Sequence, residues 1–168
     1  FAEEIKGYHA KTPVKINQTK VTSFGENNTP FTYTTDYQID GLVKKAGKNL
    51  VVSVGQLVGP QKHIEGKERE RDADIVYNYP STYTVTLTLD IPQGYSVAAE
   101  SLQKLTNHID NEAVGFESKA ETSDGKLVIN FQKTYKQQQI PAANWSQVLN
   151  MLDRAYDFTS QQVVLKKM

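Results

Sequence analysis

The run Pro80-Ser-Thr-Tyr-Thr-Val-Thr-Leu-Thr-Leu-Asp-Ile-Pro-Gln-Gly-Tyr95 decides the fold. Tyr83, Val85, Leu87, Leu89 and Ile91 alternate with Thr84, Thr86, Thr88 and Asp90. A period of two over that length specifies a β-strand with one apolar face. The other face is almost all threonine, whose β-branched side chain suits a pleated, half-exposed surface. Pro80 removes a ladder donor at the start, and Ile91-Pro92-Gln93-Gly94 ends the run with turn chemistry. Such a strand needs neighbours beside it and a layer over its apolar face.

Other segments supply both. Phe31 to Asp40 alternates again, with Phe31, Tyr33, Thr35, Tyr37 and Ile39 on one face. Val14 to Val21 is a weaker strand candidate, and Phe24 to Pro30 is a loop by its turn residues. Gly41 to Asn49 turns the chain, with Gly47 expected at positive φ. Leu50 to Val58 is apolar on both faces, as expected of a central strand covered on both sides. Gln61 to Asp74 reads as a solvated connection around Lys67-Glu-Arg-Glu-Arg-Asp72. Ile75 to Tyr79 is expected as a short strand, and Tyr95 to Ala99 as a continuation of the sheet. Phe116 to Thr122 and Lys126 to Tyr135 form a hairpin about Asp124-Gly125, a dipeptide that tolerates positive φ. Leu127, Ile129 and Phe131 share a face that Lys133 and Tyr135 continue.

One confident helix follows. Asn144 and Gln147 have the spacing of a capping box, and Trp145, Val148, Leu149, Leu152, Ala155 and Tyr156 form one apolar stripe. Gln162 to Lys166 is a terminal strand candidate. Glu100 to Asn111 stays open: Leu102, Leu105 and Ile109 have helical spacing, but Thr106, Asn107 and Asp110 suit a helix interior poorly. Ala2 to Lys6 is either a short helix ended by Gly7 or a frayed arm. The start at Phe1 rather than Met points to a fragment of a longer protein. The expected fold is therefore mainly β. It is a single antiparallel β-sandwich-like domain over residues 1–168, with one C-terminal amphipathic helix, about 144–157, packed on it. Its expected core includes Val52, Val54, Val85, Leu87, Leu89, Leu127, Ile129, Trp145 and Leu152.

Composition narrows the function. Lys+Arg and Asp+Glu both number 19, so the net charge is zero. That argues against a nucleic-acid binder and an anionic-membrane module, both of which need a basic surface. No run is long and apolar enough for a transmembrane helix. The absence of cysteine removes disulfides, thiolate metal sites and a cysteine nucleophile. His9, His63 and His108 are far apart and lie in polar stretches, which suits surface histidines better than ligands or bases. Gly55 and Gly59 lack the lysine of a phosphate loop, and Asp72-Ala-Asp74 lacks the rest of a calcium loop. No Gly-x-Ser-x-Gly elbow marks a nucleophile. Catalytic residues, metal ligands and cofactors are accordingly assigned to none.

Nine tyrosines stand against one tryptophan. Tyr33 and Tyr37 share a strand face, and Tyr77, Tyr79 and Tyr83 flank Pro80. These five are the candidate partner or ligand surface. Clustered tyrosines near strand ends stack on sugar rings or anchor a protein partner, and the competing role is half-buried core with hydroxyls at the rim.

An ordered set of residues carries a family resemblance. It runs through Gly55-Gln-Leu-Val-Gly59 with Gln61, Arg71, Tyr79-Pro80, Ile91 to Val97, Asn111 and Gly115-Phe116. It continues through Lys133-Thr-Tyr135, Trp145, Leu152-Asp153, Tyr156-Asp-Phe158 and Leu165-Lys-Lys167. From about Asp36 onward the chain resembles the domain of unknown function that closes many bacterial transglutaminase-like proteins. The resemblance implies a non-catalytic accessory domain of an exported Gram-negative protein, periplasmic or at the cell surface. Its partners would be the upstream domains of the same parent chain. The transglutaminase cysteine, histidine and aspartate would belong to the preceding domain. The alternative is a glycan- or peptide-binding module using the tyrosines.

Overall fold

The computed structural model describes Gly7 and residues 13–168. The alternatives for Ala2 to Lys6 and the reading of His9 lie outside the described residues. The chain divides into two compact units, Phe1–Val43 and Lys44–Met168. The fold is mainly β, with several antiparallel sheets and one long C-terminal helix.

In the first unit, β1 (Val14–Phe24) and β2 (Phe31–Ile39) form an antiparallel hairpin. Register shifts between Ile16 and Gln18 and between Val21 and Ser23 break its ladder. Threonine pairs Thr19–Thr35 (3.1 Å) and Thr22–Thr32 (2.7 Å) bridge the strands on the exposed face.

Strand β3 (Val43–Ala46) starts at the last residue of the first unit and leads into the second, which continues with β4 (Asn49–Val52), β5 (Ile75–Val76), β6 (Ser81–Asp90) and β7 (Tyr95–Val97). In the open segment 100–111 the helical spacing holds only through a short helix α1 (Ala99–Lys104), and of the poor helix formers beyond it Asn107 and Asp110 lie in a strand β8 (Asn107–Asp110). Then come β9 (Val114–Ser123), β10 (Lys126–Tyr135), β11 (Gln139–Ile140), α2 (Trp145–Phe158) and β12 (Val163–Lys167). Two four-stranded sheets result, ordered β6-β10-β9-β8 and β3-β4-β12-β7, with a small β11-β5 pair beside them. The β9–β10 hairpin turns at Asp124 (φ 51°) and Gly125 (φ 72°), as the dipeptide requires.

Both sheets and α2 feed one core. Val52, Val163 and Leu165 from one sheet join Phe116, Leu127, Ile129 and Phe131 from the other, with Val148, Met151, Leu152 and Phe158 from the helix. Phe131 packs edge-on against Phe116 (5.2 Å between centroids), Phe158 (5.1 Å) and Tyr83 (6.2 Å).

Four expectations need correction. Val85, Leu87 and Leu89 are only half-buried, because β6 is the outermost strand of its sheet and the layer above does not reach its full width. Leu50 to Val58 is not one strand. The strand stops at Val52, and Val54–Val58 coil into a 3₁₀ turn with Val54, Gly55 and Val58 buried. A run apolar on both faces is equally compatible with a buried turn of helix. Ile75 to Tyr79 keeps only two residues of strand, where β11 pairs with it. The capping box at Asn144 and Gln147 does not form. Asn144 is the last residue of a 3₁₀ turn (Ala142–Asn144) at φ −93°, ψ 6°, not extended, and its side chain makes no cap bond. Gln147 Oε1 is buried with no partner among the described residues.

Gly55 explains the turn at 54–58. Its N–H donates to Gln161 O (3.0 Å), and a Cβ there would sit 2.1 Å from Phe158 O. The backbone at the end of α2 therefore rests directly on this glycine. Gly55→Ala is expected to destabilise the fold by more than the ~1–3 kcal/mol usual for overpacking, since the obstacle is main chain. Trp145→Ala is expected to cost ~3–5 kcal/mol. Urea unfolding of both variants checks these values, and parent-like stability of Gly55→Ala would mean that α2 does not end on this residue.

Candidate functional site

Tyr77, Tyr79 and Tyr83 gather where the short β5–β11 pair leads through Pro80 into β6. Tyr77 is tied down by its backbone, N–H to Gln138 O at 2.8 Å, and its ring leans on Tyr135 with centroids 4.7 Å apart. Tyr83 points its hydroxyl at Val58 O, 2.8 Å away. Tyr79 remains 68% exposed, beside an equally open Val76 at 70%. Tyr33 and Tyr37 lie in the hairpin unit, half-buried, opposite Val21 and Ile16 of β1.

Lys133 lies at the centre of this cluster, and it was not among the candidates. On β10 it stands directly opposite Tyr83. Its ammonium donates to Gln61 Oε1 at 2.7 Å and lies 6.0 and 5.9 Å from the rings of Tyr83 and Tyr135. No carboxylate among the described residues pairs with it. Burial lowers its pKa. The sequence signal was present, since Lys133 continues the apolar face of β10, and a lysine on a buried face is rare unless something receives its charge. Its amide partner Gln61 is 72 residues away and is steadied by contacts with Val58 O (3.4 Å) and Gly59 O (3.5 Å).

The charged connection 61–74 is anchored rather than freely solvated. Arg69 grips Asp153 of α2 through both guanidinium nitrogens (3.0 and 2.8 Å) and also reaches Ile64 O (3.0 Å). The hydrogen bond from Arg69 holds the Asp153 carboxyl below the usual range. Trp145 Nε1 donates to Arg69 O (2.9 Å), and the Arg71 guanidinium lies 5.4 Å from the Trp145 ring. Asp74 accepts from Gln139 Nε2 and the Ala142 N–H, both at 2.9 Å, and those bonds lower its pKa. His63 stacks on Tyr156 at 4.0 Å and pairs with Glu65 at 2.7 Å.

The buried serine hydroxyls serve structural bonds: Ser118 donates to Leu105 O, Ser101 accepts from the Val164 N–H, and Ser53 accepts from Gln162. None of these bonds joins a serine to a histidine. Among the described residues no cluster of three or more His, Cys, Asp or Glu is placed to hold a metal. A groove of about 180 Å³ runs past His108, Phe116, Gln132 and Thr134, but its ions Lys136 and Asp110 already neutralise each other at 2.5 Å. No helix among the described residues is long and apolar enough to cross a membrane.

These features define a β-sandwich-like domain with one C-terminal helix and a lysine-centred cluster of tyrosines. The family described as a domain of unknown function with a solved structure, DUF3858, matches residues 48–165, and the chain belongs to it. No curated protein and no solved structure matches the chain. The matched stretch contains Gln61, Tyr77, Tyr79, Tyr83, Lys133 and Tyr135.

Tyr135 gives the cluster a measurable signature. Burial, with Tyr77 beside it, pushes its phenol up to about 12. An unfolded tyrosine titrates near 10. Its contribution to stability is therefore fully present below pH ~10 and is lost as the pH rises through about 12. Denaturation midpoints should fall over that window, and Tyr135→Phe should shrink the fall. Tyr77→Phe should bring the Tyr135 midpoint down in an ultraviolet phenolate titration.

Proposed function

We propose that the chain is a non-catalytic accessory domain that docks on, or positions, a transglutaminase-like catalytic domain of the same parent chain, in an exported protein. One observation carries the reading. Val76, Tyr79 and Tyr83 are exposed along a single eight-residue stretch whose backbone is fixed at both ends by strand pairing. Rigid, exposed aromatic and aliphatic side chains are the usual anchors of a protein interface, because little rotamer freedom is lost on docking. Arg71 borders Tyr77 electrostatically. With the neighbouring charges of 67–72 it supplies the polar rim typical of interfaces within one chain. The chain contains no cysteine, so a transglutaminase nucleophile would have to come from another domain. The resemblance noted above associates such a domain with this one.

A second reading has its own support. A half-buried ammonium, flanked by two phenol rings and with no carboxylate partner among the described residues, suits the acidic group of a glycan or peptide. A binding screen against cell-wall fragments separates the two. Saturable binding that disappears in Tyr79→Ala and Lys133→Met favours the module, and a blank screen removes it.

Hydrogen exchange tests docking. The 168-residue chain alone and the same chain within its parent are compared peptide by peptide. Docking is expected to add protection on a contiguous face that includes 75–83, and Tyr79→Ala is expected to weaken it. Identical exchange in both contexts would leave the domain a tethered bead and overturn the proposal.

A further inference from the structure

Strand edges in the second unit are blunted, with one exception. Edge strand β3 carries Lys44 and Lys45 within four residues, β7 is three residues long, and β8 is four residues long and ends in Asp110. Lysines, shortness and charge are the devices by which proteins prevent edge-to-edge pairing. β6 uses none of them. It runs for ten residues, and Ser81 to Leu89 contain no charge, no proline and no glycine. Its ladder to β10 is continuous over ten residue pairs, with no bulge to twist the edge away. Among the described residues no strand pairs with its other side.

A second observation points the same way. Phe131, Ile129 and Leu127 of β10 are 0–2% exposed, while their register partners Val85, Leu87 and Leu89 on β6 are only half-buried. The apolar layer stops one strand short of the edge. A strand added to β6 would cover the open backbone and narrow this apolar gap together.

We infer that the added strand is β6 of a second copy of this chain, paired antiparallel about a two-fold axis. Its sequence suits itself. With Val85 on the axis, Tyr83 faces Leu87 and Thr84 faces Thr86. With Thr86 on the axis, Val85 faces Leu87 and Thr84 faces Thr88. Over residues 82–88 with Val85 on the axis, and 83–89 with Thr86 on the axis, apolar residues meet apolar residues and threonines meet threonines, a favourable cross-strand pair. Asp90 falls opposite Pro80 or Thr82, never opposite itself, so no like charges meet. A charged partner strand would find no complementary charge along Ser81 to Leu89. The result is a continuous eight-stranded sheet across an isologous interface. Val76 and Tyr79 lie outside the paired residues while Tyr83 lies within them, so pairing is tested on the chain alone and docking within the parent.

The test is sedimentation of the 168-residue chain from about 1 µM to 1 mM, the range that resolves micromolar to millimolar dissociation constants. A reversible monomer–dimer equilibrium is expected. Thr84→Lys with Thr86→Lys places like charges face to face in both registers and is expected to weaken the dimer at least tenfold. Thr84→Glu with Thr86→Glu should do the same, and mixing the two variants should restore a heterodimer. These side chains are exposed, so circular dichroism should show both variants folded. A chain that stays monomeric throughout overturns the inference, as does a dimer indifferent to these charges. Protection of the 81–90 amides that persists at the lowest concentration would assign the edge to another segment of this chain, and would overturn it too.

Discussion

The packing around Phe131 holds the second unit together. Its ring meets Phe116 from the neighbouring strand, Phe158 from the end of the helix and Tyr83 from the edge strand, all edge-on or nearly so. Each such contact adds about 0.5–1.5 kcal/mol beyond the burial of its area. The geometric consequence matters more. One side chain fixes the depth of α2 over the sheet, and Phe158 then sets where the helix ends. The helix end must rest on Gly55, where no larger residue fits beneath the Phe158 carbonyl. The 3₁₀ turn through Val58 follows, and Val58 O receives the Tyr83 hydroxyl. A closed circuit thus runs from β10 through α2 and the 54–58 turn back to β6.

Periodicity made much of this legible. The alternation of 81–90, the Asp124-Gly125 hairpin and the apolar stripe of α2 each depend on neighbours within a few residues, and each appears where the pattern places it, except that Tyr156 of the stripe is exposed. The edge position of β6 depends instead on which strand lies beside it, and that pairing spans about forty residues. Hydrophobic alternation says that one face is covered without saying how completely, so Val85, Leu87 and Leu89 looked like core. The run 50–58 failed for a related reason. Burial on all sides erases the period that separates strand from helix, and the glycine that signals the change works through a contact with residue 158.

The tyrosine cluster was legible in part. Tyr77, Tyr79 and Tyr83 were marked by their spacing around Pro80, and the structure keeps them together on one unit. Tyr33 and Tyr37 were grouped with them by residue type alone and belong to the other compact unit. Lys133 was visible as an interruption of an apolar face, but its meaning required Gln61, which no local pattern connects to it. Residues that carried the family resemblance without evident purpose acquire roles here. Gln61 and Tyr135 surround Lys133, Arg71 lies over Trp145, and Asp153 holds Arg69.

The charged connection shows why net charge is a poor guide to mobility. Arg69 to Asp153 is a two-point contact at a partly exposed site, and an isolated pair of that kind contributes little to stability. Its value lies in restraint. The same arginine uses its carbonyl to receive the Trp145 indole N–H, so side chain and backbone together lock the loop to the first and third turns of α2. Arg71, two residues on, is thereby carried over the Trp145 ring and toward Tyr77. Loosening the Arg69–Asp153 contact would therefore disturb the rim of the aromatic surface before it disturbed the core. The loop that reads as the most solvated part of the sequence is what brings a guanidinium beside the half-buried Tyr77.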